Sequence, residues 1–193
     1  MNKDIEKFMR YFLPNISDDS IELFSSIMTL EHYPKGKMLI KQGQIASNFY
    51  IIKSGIARSY MKDNDGKEHI RTLYTQQSTF GALSSLIEKK PSNASYNCLS
   101  ECELYVANFE HFLHLTRVKH ELAIFYNKVL EQIFIRTERK VDDLSLLSAT
   151  ERYLKVKKQI PNIDNMIPQY HIASYLNITP VQLSRIRKKL YSV

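Results

Sequence analysis

Ile172-Ala173-Ser174-Tyr175-Leu176-Asn177-Ile178-Thr179-Pro180-Val181-Gln182-Leu183-Ser184-Arg185-Ile186-Arg187-Lys188-Lys189 is the stretch on which the reading of this chain turns. Gln169–Leu176 carries a short helical pattern, with Pro168 near its first turn. A tight turn follows at Asn177-Ile178, and Thr179-Pro180 opens a second helix. Threonine suits the N-cap and proline the first helical position, and Gln182, three residues past Thr179, completes a capping box. Two short helices joined by a tight turn make a helix-turn-helix. At about 100° per residue, Leu183, Ile186 and Leu190 fall on the side facing Ile172, Ala173 and Leu176. Val181, Arg185 and Lys188 then point the other way, flanked by Gln182, Ser184 and Lys189.

Such a face has the chemistry of a major-groove reader. Arginine pairs bidentately with guanine, valine meets a thymine methyl, and lysines reach phosphates. The competing account of Arg185 and Lys188 is a solvated helix face. Gln182 has two uses that exclude each other, since a side chain folded back to cap the backbone is not free to read a base.

Charge points to the same region. The chain of 193 residues has 27 Lys+Arg against 20 Asp+Glu, a net charge of +7. Residues 148–193 hold eight cations (Arg152, Lys155, Lys157, Lys158, Arg185, Arg187, Lys188, Lys189) against Glu151 and Asp164, whereas residues 1–147 are nearly balanced. A surplus confined to the last quarter implies a local surface for a polyanion.

Upstream, the five glycines (Gly36, Gly43, Gly55, Gly66, Gly81) all lie between 36 and 81, which marks turn-rich β structure. Short apolar runs agree: 37–41, 48–53, 56–62, 67–74, 95–99 and 103–107. Asp63-Asn64-Asp65-Gly66 reads as a hairpin turn. Two short helical patterns precede them, Ile5/Phe8/Met9/Phe12 and Ile21/Phe24/Ile27/Met28, the second capped by Ser17. After Asn108 no glycine or proline occurs until Pro161, and Leu122, Phe125, Tyr126, Val129, Ile133, Val141, Leu144 and Leu147 recur at helical spacing. A helix over 119–146 would be about 42 Å long. Its apolar stripe is to be covered either by its own barrel or by a second copy. A shorter helix over 150–159 follows. The expected class is therefore α+β: a β-roll of the double-stranded β-helix type with flanking helices (1–117), a long connecting helix (118–147) and a helix-turn-helix domain (148–193).

The residues carry a family resemblance. The stretch from Ile172 to Lys189 resembles the C-terminal helix-turn-helix of Crp–Fnr-type transcription regulators. Tyr33-Pro34-x-Gly36, Leu39-Ile40-x-Gln42-Gly43 and Phe49-Tyr50-Ile51-Ile52-Lys53-Ser54-Gly55 resemble that family's cyclic-nucleotide-binding-like roll, and the order of parts matches over nearly the whole chain. The resemblance implies a homodimer along the 119–146 helix that sets two recognition helices into successive major grooves of double-stranded DNA at a pseudo-palindromic site. It assigns DNA contacts to Thr179, Val181, Gln182, Ser184, Arg185, Lys188 and Lys189, with RNA polymerase as a further candidate partner.

The sequence also departs from the family. Cyclic-AMP-binding members hold the ribose with a Gly-Glu-Leu segment and the phosphate with an Arg-Ser pair. Here the first reads Gly81-Ala82-Leu83 and the second falls at Asn93-Ala94, so both charged groups are missing. Thr137 falls near the family's adenine contact, and Arg58 or Arg71 would substitute for the absent arginine only if the roll turned it inward. No response to cyclic AMP is expected, because a buried phosphate needs a cation. The effector is either unidentified or absent.

Many relatives continue into a β-wing beyond the recognition helix. The sequence ends at Val193, and the expectation is that Lys188, Lys189 and the basic 152–158 stretch carry the phosphate contacts. Two cysteines, Cys98 and Cys102, are too few for an iron–sulfur cluster or a disulfide framework and are expected as buried thiols rather than a redox pair. His111 and His114 share a helix face, but nothing completes a metal site. No cofactor and no metal are expected, nor is an enzyme, since phosphate loop, metalloprotease and nucleophile-elbow motifs are lacking. No apolar run approaches the roughly 20 residues of a membrane span, and no signal peptide is read at the N-terminus, so a soluble cytoplasmic protein with no membrane partner is expected. A module that senses a ligand or docks a protein without reading DNA is the alternative.

Overall fold

A computed structural model describes residues 2–191. Two helices, α1 (Lys3–Phe12) and α2 (Asp18–Ser26), lead into strands β1 (Thr29–Tyr33), β2 (Met38–Ile40), β3 (Asn48–Ser54), β4 (Ala57–Lys62), β5 (Glu68–Tyr74) and β6 (Thr79–Phe80). A short α3 (Leu83–Glu88), strands β7 (Ser95–Cys98) and β8 (Cys102–Asn108), then α4 (Phe109–Val118) complete the N-terminal part. The rest is helical: α5 (His120–Leu146), α6 (Ala149–Gln159), α7 (Ile163–Met166), α8 (Gln169–Tyr175) and α9 (Pro180–Tyr191).

The strands form two antiparallel sheets in the orders β1-β8-β3-β6 and β2-β7-β4-β5. Tyr50, Ile52, Ala57, Tyr74, Phe80, Tyr96, Cys98 and Leu104 belong to one core with the flanking helices. The predicted turn forms: Gly66 takes a φ of +77°, and Asp63 accepts from the Asp65 and Lys67 amides. Such a φ is easily reached only without a Cβ. Ser17 caps α2 as expected, accepting from the Ser20 amide at 3.3 Å.

Helix α5 answers the question of its stripe differently along its length. Leu122, Phe125 and Val129 are buried, with the Phe125 ring edge-on to Phe8, Phe12 and Phe24. Past Ile133 most apolar residues are uncovered: Ile135 is half-buried, but Phe134 is 68% exposed and Val141 59%. The N-terminal half is therefore core, and the C-terminal half keeps only side-chain contacts with the roll, through Arg136 and Lys140.

The C-terminal helices do not stand apart. A second core joins Ile56, Tyr60, Ile70, Leu73 and Leu99 of the roll to Tyr153, Val156, Ile163, Ile172, Ala173 and Leu183. No helix among the described residues is long and apolar enough to cross a membrane.

Candidate functional site

Helix α8 ends as the sequence predicts. Asn177 adopts a φ of +55°, and the Ile178 amide reaches back to the Ala173 carbonyl at 3.0 Å. This six-residue closure satisfies a free carbonyl and reverses the chain. At the start of α9 the capping box is complete: the Gln182 amide donates to the Thr179 hydroxyl at 3.1 Å, and the Thr179 amide donates to Gln182 Oε1 at 2.8 Å. Gln182 Oε1 is thereby engaged with the backbone in the cap.

Leu183 is fully buried and Ile186 and Leu190 are half-buried, while Val181, Ser184, Arg185, Lys188 and Lys189 are exposed. The exposed set forms one continuous face, and among the described residues Arg185, Lys188 and Lys189 enter no ion pair.

The basic 152–158 stretch turns out otherwise. Arg152 donates to the Leu147 and Leu176 carbonyls, at 2.6 and 3.2 Å. Lys155 pairs with Asp143 at 2.6 Å, and Lys157 pairs with Asp164 at 3.0 Å. Arg187 faces Asp164 at 3.8 Å. These cations tie helices together, so the expectation of a phosphate-binding stretch is corrected to Lys158 alone, which is exposed. The outward charge is concentrated on α9.

Helix α8 is held to its own roll. β5 is an edge strand, and the Ser174 hydroxyl accepts from the Ile70 amide while donating to the Glu68 carbonyl, both at 3.0 Å. An edge strand needs such partners for its unpaired groups. Arg58 is buried and points to this interface. Its Nε donates to Asn97 Oδ1 at 2.8 Å and its Nη1 to His171 Nδ1 at 3.1 Å, and its Nη2 pairs with Glu68 at 2.6 Å. The guanidinium lies 4.1 Å over the Tyr60 ring. His171 is neutral here, its pKa lowered to about 4 by burial and by Arg58. No sequence signal linked residues 113 positions apart.

The roll interior is occupied by aromatic rings. Phe80 stacks on Tyr50 at 5.1 Å and on Tyr74 at 4.7 Å, and lies within 9° of parallel to Tyr96. Burial pushes the Tyr50 phenol up to about 12 and Tyr96 further. Ala82, where the resemblance expects a carboxylate, is buried; Asn93, where it expects an arginine, is exposed, and the adjacent Ala94 is buried. The loop around them closes on itself, with the Ser92 hydroxyl donating to the Ala94 carbonyl at 2.7 Å. Arg58 faces away from the interior and Arg71 sits exposed where β4–β5 pairing shifts register. Thr137 is also exposed, its hydroxyl donating to the Ile133 carbonyl at 2.8 Å. Gly81 and Leu83 line an apolar cleft between the roll and α5.

Cys98 and Cys102 are free and buried, and Cys102 is held below the ordinary thiol range mainly by its hydrogen bond with Cys98. His111 and His114 are exposed on α4. No metal-binding cluster of three or more ligands occurs among the described residues.

An aromatic-filled antiparallel roll and a long helix are followed by a capped helix-turn-helix. The family model for the cyclic nucleotide-binding domain matches residues 30–118. The cAMP-activated global transcriptional regulator CRP of Pasteurella multocida is 29% identical over 135 residues, 70% of this chain and 65% of that relative. The match thus spans slightly less than two thirds of that relative's length. The fold is shared with the c-di-GMP-responsive global regulator CLP of Xanthomonas campestris (TM-score 0.70, 18% identity, 91% of this chain and 92% of the other). It is shared also with the Thermus thermophilus catabolite activator protein (TM-score 0.58, 23% identity, 94% and 86%). The chain carries a cyclic nucleotide-binding-domain match over residues 30–118 and is similar in sequence and fold to regulators of the Crp–Fnr type.

Proposed function

We propose that the chain binds double-stranded DNA sequence-specifically as a homodimer, on a pseudo-palindromic site, without a response to cyclic AMP. The observation that carries this reading is the open face of α9, where Arg185 stands among Val181, Ser184, Lys188 and Lys189 with no ion-pair partner among the described residues. Arg185 is the base reader, Val181 the methyl contact, and Lys188 and Lys189 the phosphate anchors. Thr179 and Gln182 fix the start of the helix.

Dimerisation is supported by the C-terminal half of α5. Leu130, Phe134, Thr137, Val141 and Leu144 recur at alternating steps of four and three, the 3.5-residue period of a coiled-coil seam. The loss of cyclic-AMP recognition is supported by Ala82 and Asn93, which supply neither the carboxylate nor the cation that a buried cyclic phosphate and its ribose need. RNA polymerase would be the protein partner of such a DNA complex, and the cytoplasm its place. The shared core between the roll and α6–α9 also suits a helix-turn-helix used only for packing. Selecting bound fragments from random duplex DNA, at about 150 mM salt where non-specific binding is weakened, separates the two. Recovery of an inverted repeat is expected, and unenriched sequence, with or without cell metabolite extract, would leave the packing role.

A further inference from the structure

Three polar side chains from α6 and α9 converge on one carboxylate behind the exposed face of α9. Asn162 takes a φ of +66° at the start of α7, and the next residue, Ile163, is buried in the core that holds Tyr153 of α6 and Leu183 of α9. Asp164 is thereby fixed between the two helices. Tyr153 and Lys157 stand one turn apart on α6, and Leu183, Arg187 and Tyr191 recur every four residues along one stripe of α9.

The fully buried Tyr153 donates its hydroxyl to the two Asp164 oxygens at 2.9 and 2.8 Å. Lys157 pairs with the same carboxylate at 3.0 Å and donates to the Tyr191 hydroxyl at 2.8 Å, which fastens the C-terminal end of α9 to α6. Arg187 approaches the other oxygen at 3.8 Å, and its Nη1 is buried with no hydrogen-bond partner among the described residues. Burial acts to raise the Asp164 pKa, but Lys157, Tyr153 and Arg187 outweigh it and hold the carboxyl below its usual range. Asp164 is therefore ionised at neutral pH.

Both cations stand beside outward ones. Lys157 precedes the exposed Lys158, and Arg187 precedes the exposed Lys188. Neither is sealed in, since 31% of the Lys157 side chain and 27% of that of Arg187 are exposed. Each thus has two available partners, Asp164 or a phosphate of bound duplex. The carboxylate prevails, because the move to phosphate would strand a largely buried charge. A cation on phosphate strengthens binding to every duplex alike and carries no sequence information.

We infer that Asp164 is a positioning residue for DNA discrimination: it withholds Lys157 and Arg187 from phosphate and pins the end of α9, leaving recognition to the outward face. The inference rests on the DNA reading above and states how that same face is kept selective.

Anisotropy titrations of the full chain with a random-sequence duplex, repeated across salt concentrations, test this. Asp164→Asn keeps the size and an acceptor for Tyr153 and removes the charge. It is expected to bind random duplex at least about tenfold more tightly at low salt, and to steepen the slope of log affinity against log salt by about 0.9 for each cation released per protomer. Preference for the selected inverted repeat should fall by up to about tenfold, as released cations favour every register and α9 is held less firmly. Lys157→Gln and Arg187→Gln separate withholding from a change of net charge. Each should leave the wild-type slope unchanged and remove about 0.9 from it in the Asp164→Asn background. A carboxylate that served packing alone would move the urea midpoint and leave the slopes alike, which would overturn the inference. Should Asp164→Asn fail to fold, the single variants decide: a slope lowered by either shows a cation already on phosphate and overturns it, and unchanged slopes from both support it. Tighter random-duplex binding by Asp164→Asn without any selected repeat would support the restraint and remove only the sequence reading. A repeat selected by both proteins with equal slopes would remove only the restraint.

Discussion

Helices α8 and α9 are the two halves of one motif, adjacent in sequence and packed on each other, yet they use their polar side chains in opposite ways. On α8 every informative group is engaged inside the molecule: His171 accepts from Arg58, Ser174 closes the edge of β5, and Tyr175 receives the Lys140 ammonium. On α9 Ser184, Arg185, Lys188 and Lys189 stay open to solvent, Arg187 and Tyr191 turn back toward Asp164 and Lys157, and the one deeply buried side chain is Leu183. A reader helix must keep its donors free, because a base edge cannot compete with a partner already satisfied within the protein. The helix behind it must be held still, because a loosely placed reader gives affinity without specificity. Immobility and availability are thus assigned to different helices.

The contrast breaks most severely at the shared core. Leu183→Ala empties a fully buried position where α9 meets α8, and is expected to lower the unfolding free energy by about 2–5 kcal/mol, read as a reduced urea midpoint. A loss below about 0.5 kcal/mol, the range of ordinary surface changes, would mean that α9 is not anchored there.

Next in size is the pH dependence of the α8 latch. The folded pKa of His171 is about 4, below the ordinary value of about 6.5 that the unfolded chain has. Above pH 6.5 both states are neutral and nothing is lost. Between 6.5 and 4 the unfolded state takes up the proton and the folded state does not, so stability falls as pH falls, by at most about 1.4 kcal/mol per pH unit. Below 4 the loss levels off. His171→Gln keeps an acceptor for Arg58 and should flatten this slope in urea titrations; an unchanged slope would place the titration elsewhere.

On the open side, Arg185→Ala is expected to cost about 1–3 kcal/mol of specific binding and to relax preference at one base pair per half-site. A selected motif left intact would reassign the reading face. Smallest is Lys188→Ala, which should weaken all duplexes alike and reduce the slope of log affinity against log salt by about one. A sequence-dependent effect would make Lys188 a base reader and blur the division of labour on α9.

Much of this was legible in the chain because it is decided locally. The capping box of Thr179 and Gln182, the turn at Asn177, the hairpin at Asp63–Gly66 and the extent of α5 each follow from a few neighbouring residues. Strands β1 and β6 were not predicted. Thr29–Tyr33 is largely exposed and is a strand because Leu30 pairs with Tyr105 of β8, while Thr79–Phe80 is only two residues long. The charge count was misleading in one respect. Eight cations in the last quarter read as one surface, but Arg152, Lys155 and Lys157 find acceptors on neighbouring helices and Arg187 turns toward Asp164. Net charge counts groups and says nothing about partners.

The sequence by itself determined the order of parts, the helix-turn-helix with its outward face, and the absence of the charged pair that cyclic AMP requires. Those features depend on periodicity, capping and the identity of single residues, all of which act over a few positions of the chain. Only the tertiary structure decided that Arg58 serves the α8 interface, that rings fill the roll, and that Tyr153, Lys157 and Arg187 converge on Asp164. Each of these depends on which side chains the fold brings within a few ångströms of one another across tens of residues of chain. Coulomb and desolvation effects act through space and answer to that distance rather than to sequence separation.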